Sequence, residues 1–198
     1  MKITAGCRVV AQVVVAALSL AGLATLHGCF PLVATGVGAA VLMADDRRTS
    51  GAYIEDEGIE NKALFRANQR YNDGLHLNVT SYNRLVLLTG EAPSEEARRE
   101  IERMARAIEN VRGVQNDMVV GPTTTMMIRS NDSVQTSKVK TRFIEANKFR
   151  ANHVKVVTEN GVVYLLGIVK RQEANDATEI ARTTSGVQRV VKVFEYLD

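Results

Sequence analysis

Apolar and polar residues alternate in two distant stretches of the chain, and the segments that follow those stretches repeat as well. In the second stretch Val154 and Val156, then Val162, Tyr164 and Leu166, recur at period two, with Asn160-Gly161 between the runs. Alternation over so short a span marks a half-buried strand, and Asn-Gly suits the two positive-φ positions of a type I′ turn, so the segment predicts a β-hairpin. Residues 76–90 fall on residues 153–167 at a constant offset of 77, with Asn83-Arg84, a weaker turn pair, at the tip. After each closing glycine, Gly90 and Gly167, the pattern becomes helical and rich in Ala and charge, over 94–110 and 171–184, and a short strand follows, to Val120 and to Tyr196. Gly113 and Gly186 stand 73 apart, so the first of these helices is longer by four residues, about one turn, which keeps its apolar face aligned. A further helix precedes each hairpin, over 57–70 and over 133–147, the latter with Asp132 or Ser133 as N-cap and Gln135 available for a capping box. The predicted fold class is α+β, with two tandem αββαβ domains at 53–121 and 131–198 and a linker at 122–130. Gly121-Pro122-Thr123-Thr124-Thr125 is the punctuation between them, and each unit is expected to be a three-stranded mixed sheet with both helices on one face.

The start of the chain follows a different pattern. Lys2 and Arg8 precede an apolar run over 9–26, broken by Gln12 and small residues, and Leu26-His27-Gly28-Cys29 closes it. Positive charge followed by a hydrophobic stretch suits a segment handed to the translocon with its N-terminus on the cytoplasmic side. A Leu three before the cysteine and a small residue one before it make a bacterial lipoprotein signal, from which His27 departs because that place is usually small or apolar. Residues 1–28 are therefore expected to be a signal peptide, Cys29 the lipidated residue and 29–52 a flexible tether. Acyl chains on the Cys29 thiol and amino group would hold firmly, since each buried methylene contributes ~0.8 kcal/mol and several chains hold where one does not. The second apolar stretch, 30–44, is short and rich in Gly and Ala, and reads as tether rather than span. Phe30, not Asp, follows the cysteine, which makes the periplasmic face of the outer membrane the expected destination.

The hairpin core of Val154, Val156, Gly161, Val163, Leu165 and Gly167, with the close of Ser185, Gly186, Val187 and Val190, resembles the BON domain. The whole layout resembles the lipoproteins that carry two BON domains. The resemblance is specific in the second unit and looser in the first, where Arg84 stands at the place of the turn glycine and the opening helix is short. It implies a non-enzymatic role: a second domain that binds anionic phospholipid, support of outer-membrane integrity, and enrichment at the division site.

Composition narrows the chemistry. Cys7 lies inside the signal and Cys29 is expected to be acylated, so the folded part has no thiol, and disulfides, zinc sites and thiol catalysis are not expected. His27 leaves with the signal, while His76 and His153 occupy the same place in two repeats, which duplication explains without a shared metal; neither a metal nor another cofactor is expected. Glu95, Glu96, Glu100, Glu102 and Glu109 are interleaved with Arg98, Arg99, Arg103 and Arg106, a solvated helix face with i,i+3 and i,i+4 pairs rather than an acid/base pair, so no catalytic residue is assigned and no enzyme is expected. Gly36-Val37-Gly38 lacks the preceding strand and third glycine of a dinucleotide loop. Without Lys2 and Arg8 the chain carries 23 basic residues against 22 acidic ones, which gives nucleic acid no support as a partner. The charge is divided unequally, however: residues 45–120 hold 11 basic and 14 acidic side chains, residues 131–198 hold 11 and 8, so the second unit is the one suited to an anionic surface.

Within that unit, helical spacing puts Gln135, Thr136, Val139, Phe143 and Ala146 on one face, assigned to the sheet. Val134, Ser137, Thr141 and Ile144 then face outward, flanked by Lys138 and Lys148, with Arg142 nearer the core edge. Val134, Lys138, Thr141, Arg142, Ile144 and Lys148 are accordingly the candidate phospholipid-binding residues: Val and Ile supply burial in a headgroup layer and the cations meet phosphate. Relatives can carry a large aromatic near Val134; with no Trp in the chain, insertion should be shallower. The alternative partner is an envelope or division protein, docked by the same helix or by the acidic first unit.

Overall fold

The computed structural model describes residues 46–71 and 73–198. The signal segment 1–28, Cys29 and the tether to residue 45 lie outside the described residues. In chain order the elements are α1 (Ser50–Arg70), β1 (His76–Tyr82), β2 (Leu85–Ala92), α2 (Glu95–Arg106), β3 (Gly113–Asn116), β4 (Val119–Val120), α3 (Met126–Ala146), β5 (Lys155–Glu159), β6 (Val162–Val169), α4 (Arg171–Arg182) and β7 (Arg189–Tyr196), with a 3-10 turn at Ala151–His153. This is αββαβ twice. Antiparallel hairpins β1–β2 and β5–β6 each accept a parallel third strand after a helical crossover.

Two expectations are corrected. The last strand of the first unit is broken, so β3 and β4 pair with β2 separately and the sheet has four strands where three were expected. At the break Met118 turns into the core while the Asp117 amide still donates to the Leu88 carbonyl. The opening helices also start earlier. Thr49 caps α1 by accepting from the Ala52 amide, and Thr125 caps α3 by accepting from that of Ile128, so α1 takes in the last residues assigned to the tether and α3 half of the assigned linker. Asp132 and Ser133 are therefore interior to α3 and cap nothing.

Asp132 has a different task. Buried on the inner face of α3, it accepts from the Asn160 amide (Oδ2, 2.8 Å) and the Gly161 amide (Oδ1, 2.9 Å), clamping the hairpin tip. Asp56 of α1 does the same in the first unit, accepting from Asn83 (2.8 Å) and Arg84 (2.7 Å). Both tips are left-handed at both positions, with φ of 48° and 74° at Asn160 and Gly161 and 50° and 66° at Asn83 and Arg84, as a type I′ turn requires. Holding Arg84 in that region costs about 1 kcal/mol that glycine avoids, and the double carboxylate contact offsets it.

Each sheet packs one face on its own helices. Ile59, Ala63, Ala67, Val79, Val86, Leu88, Ala97, Ile101 and Ala105 form the first core; Val139, Phe143, Val154, Val156, Val163, Leu165, Ala177 and Ala181 form the second. The opposite faces meet each other: Tyr82 and Leu87 of the first sheet are buried in one cluster with Tyr164, Leu166, Ile168 and Val193 of the second. Strand β6, expected to be half-buried, and its counterpart β2 are thus buried on both faces over all but their first residue. Polar contacts continue the junction, with Asn83 Nδ2 and Arg112 Nη1 both donating to Glu195 Oε2 at 2.9 Å, and Lys155 Nζ donating to Glu60 Oε1 at 3.0 Å.

Candidate functional site

Helix α3 buries Asp132, Gln135, Val139 and Phe143, the spacing of a single inward stripe. Ala146, placed on that stripe by periodicity, is exposed instead. The helix ends there because Asn147 takes φ 47°, and the chain turns so that Phe149 closes the core edge-on to Phe143, ring centroids 5.0 Å apart. Thr136 is half-buried and donates its hydroxyl to Thr158 at 2.7 Å.

On the outer side of α3 lies an open groove of about 650 Å³ between the helix and the turn that joins α4 to β7. Four of the six candidate residues line it: Val134, Lys138, Thr141 and Arg142. Ile144 and Lys148 do not. Ile144 is 68% exposed, further along the helix, and Lys148 lies beyond the helix end with its ammonium 3.2 Å from Asp176 of α4. Arg142 is already engaged within the fold, where Nη1 donates to the Ile180 carbonyl and to Thr184 Oγ1, both at 2.8 Å, tying α3 to the C-terminal end of α4. A guanidinium at that end also complements the helix dipole.

The rest of the lining was not singled out from sequence: Ser130, Ser133 and Ser137 on α3, and Thr184 and Ser185 on the turn. The three serines share one face, a signal readable once the helix is known to begin at Met126. Ser133 and Ser137 donate back to carbonyls one turn earlier, whereas among the described residues no acceptor takes the hydroxyls of Ser130, Thr141 or Ser185. Free hydroxyl donors beside a lysine ammonium suit a phosphate oxygen. Val134, 49% exposed, supplies an apolar lip, and Met126 and Met127 stand 76% and 82% exposed on the first turn of the same helix. No helix among the described residues is long and apolar enough to cross a membrane.

The acidic helix of the first unit behaves as a charged surface. Glu95 pairs with Arg98 and Arg99, and Glu102 with Arg106, at 3.2, 3.7 and 2.8 Å. The histidines part company. His76 meets Glu91 and Glu159 in a group whose ligand atoms all lie within 4.8 Å of one another, and His153 is not in it.

The chain matches the family model described as BON domain twice, over residues 56–122 and 131–198. It is 39% identical to the outer membrane lipoprotein DolP of Haemophilus influenzae, over 87% of this chain and 91% of that protein. It is 32% identical to the 21 kDa hemolysin of Actinobacillus pleuropneumoniae, over 77% and 79% of the two chains. With the osmotically-inducible protein Y of Escherichia coli it shares 27% identity over 71% and 72%.

Proposed function

The chain belongs to the family of outer-membrane lipoproteins with two BON domains, and from that premise we propose that its second domain recognises anionic phospholipid at the groove beside α3, in the service of envelope integrity. The observation that carries this reading is the groove itself: Lys138, hydroxyl donors and the apolar lip of Val134 converge on one exposed helix face of the more basic unit. With Cys29 acylated, the protein sits on the periplasmic face of the outer membrane and α3 engages headgroups as a surface contact. No reaction is assigned to the site. Enrichment at the division site is part of the same reading and is tested by imaging a fluorescent fusion in dividing cells.

The binding test uses residues 45–198, free of the anchor, and phosphatidylglycerol vesicles in co-sedimentation. Lys138→Glu exchanges one positive charge for a negative one. At ~1 kcal/mol for each of the two units of charge changed, affinity should fall roughly thirtyfold at low salt and by less at high salt. Val134→Asp should weaken binding with less salt dependence, because it also removes apolar burial. Reversing Arg98 and Arg103 on α2 should do little. Equal losses from the two units, or no binding at any charge content, would end the lipid reading and favour an envelope or division protein as the partner of α3.

A further inference from the structure

A second cavity, of about 400 Å³, opens where the two units meet and is lined from both: His76 and Asn78 of β1, Glu159 at the end of β5, and Arg129 and Asp132 of α3. Beside it lie two buried carboxylates. Glu91 is 3% and Glu159 7% exposed, and among the described residues the only ion-pair partner of either is the His76 imidazole. Arg129 donates instead to Thr124 Oγ1, and Asp132 is committed to the hairpin amides. Two buried carboxylates that share a single imidazole as ion-pair partner are groups of the kind that proteins pair or use to hold a metal.

From this geometry we infer that His76, Glu91 and Glu159 form a binding site for a divalent transition-metal ion of the Zn²⁺ type that joins the two domains. It goes beyond phospholipid recognition and does not depend on it. His76 Nδ1 lies 2.9 Å from Glu91 Oε2 and 3.8 Å from Glu159 Oε1. Ligands bound at ~2.1 Å stand ~2.9 to ~3.4 Å apart in octahedral and tetrahedral sets, so His76 and Glu91 already stand at ligand spacing, and Glu159, within 4.8 Å of both, closes on the ion by a small side-chain movement. The metal takes the place of the proton between His76 and Glu91. One imidazole and two carboxylates suit Zn²⁺ or Mn²⁺ better than Ca²⁺, which asks for six or more oxygens.

The surroundings already orient the ligands. His76 and Glu91 are direct cross-strand partners in the first hairpin. Asn78 Nδ2 (2.6 Å) and Thr89 Oγ1 (3.3 Å) both donate to Glu159 Oε2, leaving Oε1 toward His76. The Thr124 amide (3.0 Å) and hydroxyl (3.2 Å) hold Glu91. Such outer contacts fix the ligating atoms of metal centres. The site is also specific to one side of the duplication: 77 residues on, His153 is retained, but Ile168 stands at the place of Glu91, and Tyr82 stands 77 residues before Glu159.

The test is calorimetric titration of the tag-free full chain in detergent, stripped with chelator, with Zn²⁺. The expected result is one equivalent bound per chain, a rise in melting temperature, and no displacement by excess Mg²⁺ or Ca²⁺. Glu159→Gln and Glu91→Gln, which keep shape and hydrogen bonding, should each lower Zn²⁺ affinity at least tenfold while melting as wild type in chelator; Asn78→Ala should weaken it less, and His153→Gln should leave it unchanged. Absence of stoichiometric Zn²⁺ binding, binding that survives the Glu91→Gln, Glu159→Gln pair, or equal displacement by Ca²⁺ would overturn the inference and leave His76 as a hydrogen-bonded clasp between the domains.

Discussion

The two glycines that close the hairpins serve the backbone. Gly90 sits at φ 108°, and a Cβ there would run into the main-chain carbonyl of His76; at Gly167 the obstacle is the carbonyl of His153. Gly161, by contrast, at φ 74°, would meet the amide end of Gln188, which can move aside. Gly90→Ala should therefore destabilise by about 3 kcal/mol, combining left-handed strain with an unyielding clash, and Gly161→Ala by only about 1 kcal/mol. Urea unfolding of the two variants measures the difference. The same method tests the clamp. Asp132→Ala leaves two hairpin amides without an acceptor and should cost about 3 kcal/mol, although nothing in its sequence position sets it apart from a helix cap. Both glycines were legible as turn and closing residues; the carbonyl that makes Gly90 obligatory was not, because it lies on the partner strand.

At the scale of elements, α3 shows how one helix divides its faces. Its inward residues Val139 and Phe143 and its outward residues Val134, Lys138 and Thr141 followed from spacing alone, while its first seven residues were missed because Met126 to Asp132 carry no amphipathic pattern of their own and Thr125 is one of three consecutive threonines. Two of the candidate cations turned out to have partners that periodicity cannot report, since Asp176, Ile180 and Thr184 belong to α4 and its end. Arg142→Ala should accordingly lower stability by about 2 kcal/mol through loss of charge-assisted hydrogen bonds, whatever it does to lipid binding. A thermal melt beside the vesicle assay separates the two effects, and an unchanged melting temperature would mean that the tie between α3 and α4 contributes nothing.

For the whole molecule, the segment before α1 acts as a strap. Arg47 forks onto Glu173 of α4 with Nη1 and Nη2 at 2.6 and 2.8 Å and donates also to the Ile168 carbonyl, joining the start of the described chain to the second domain. The guanidinium holds the Glu173 carboxyl down to about 2, against an ordinary value of 4.5, with burial opposing the shift. Because the folded-state value is depressed, the pair stabilises the protein fully above about pH 4.5, and that contribution fades as the pH falls toward 2. Arg47→Ala should therefore be less stable than wild type at neutral pH, by a margin that narrows as the pH falls toward 2 and leaves only the loss of the Ile168 hydrogen bond below it, and the Glu173 titration followed by NMR should move up toward its ordinary value. A stability difference that is the same at pH 2 as at neutral pH would mean that the Glu173 carboxylate contributes nothing to the strap.

The sequence by itself determined whatever depends on local rhythm: the αββαβ repeat, the hairpin tips, the inward stripe of α3 and the unequal division of charge. Those features are written in spacing and turn chemistry, and neighbours in sequence suffice to produce them. Tertiary structure alone decided that the second face of each sheet is covered by the other sheet. A strand buried on both faces differs from a half-buried one only in what lies opposite it, as Tyr164 and Leu166 against Tyr82 and Leu87 demonstrate. It also decided that His76 meets Glu159 across the junction, a pairing between residues 83 apart that no periodicity encodes.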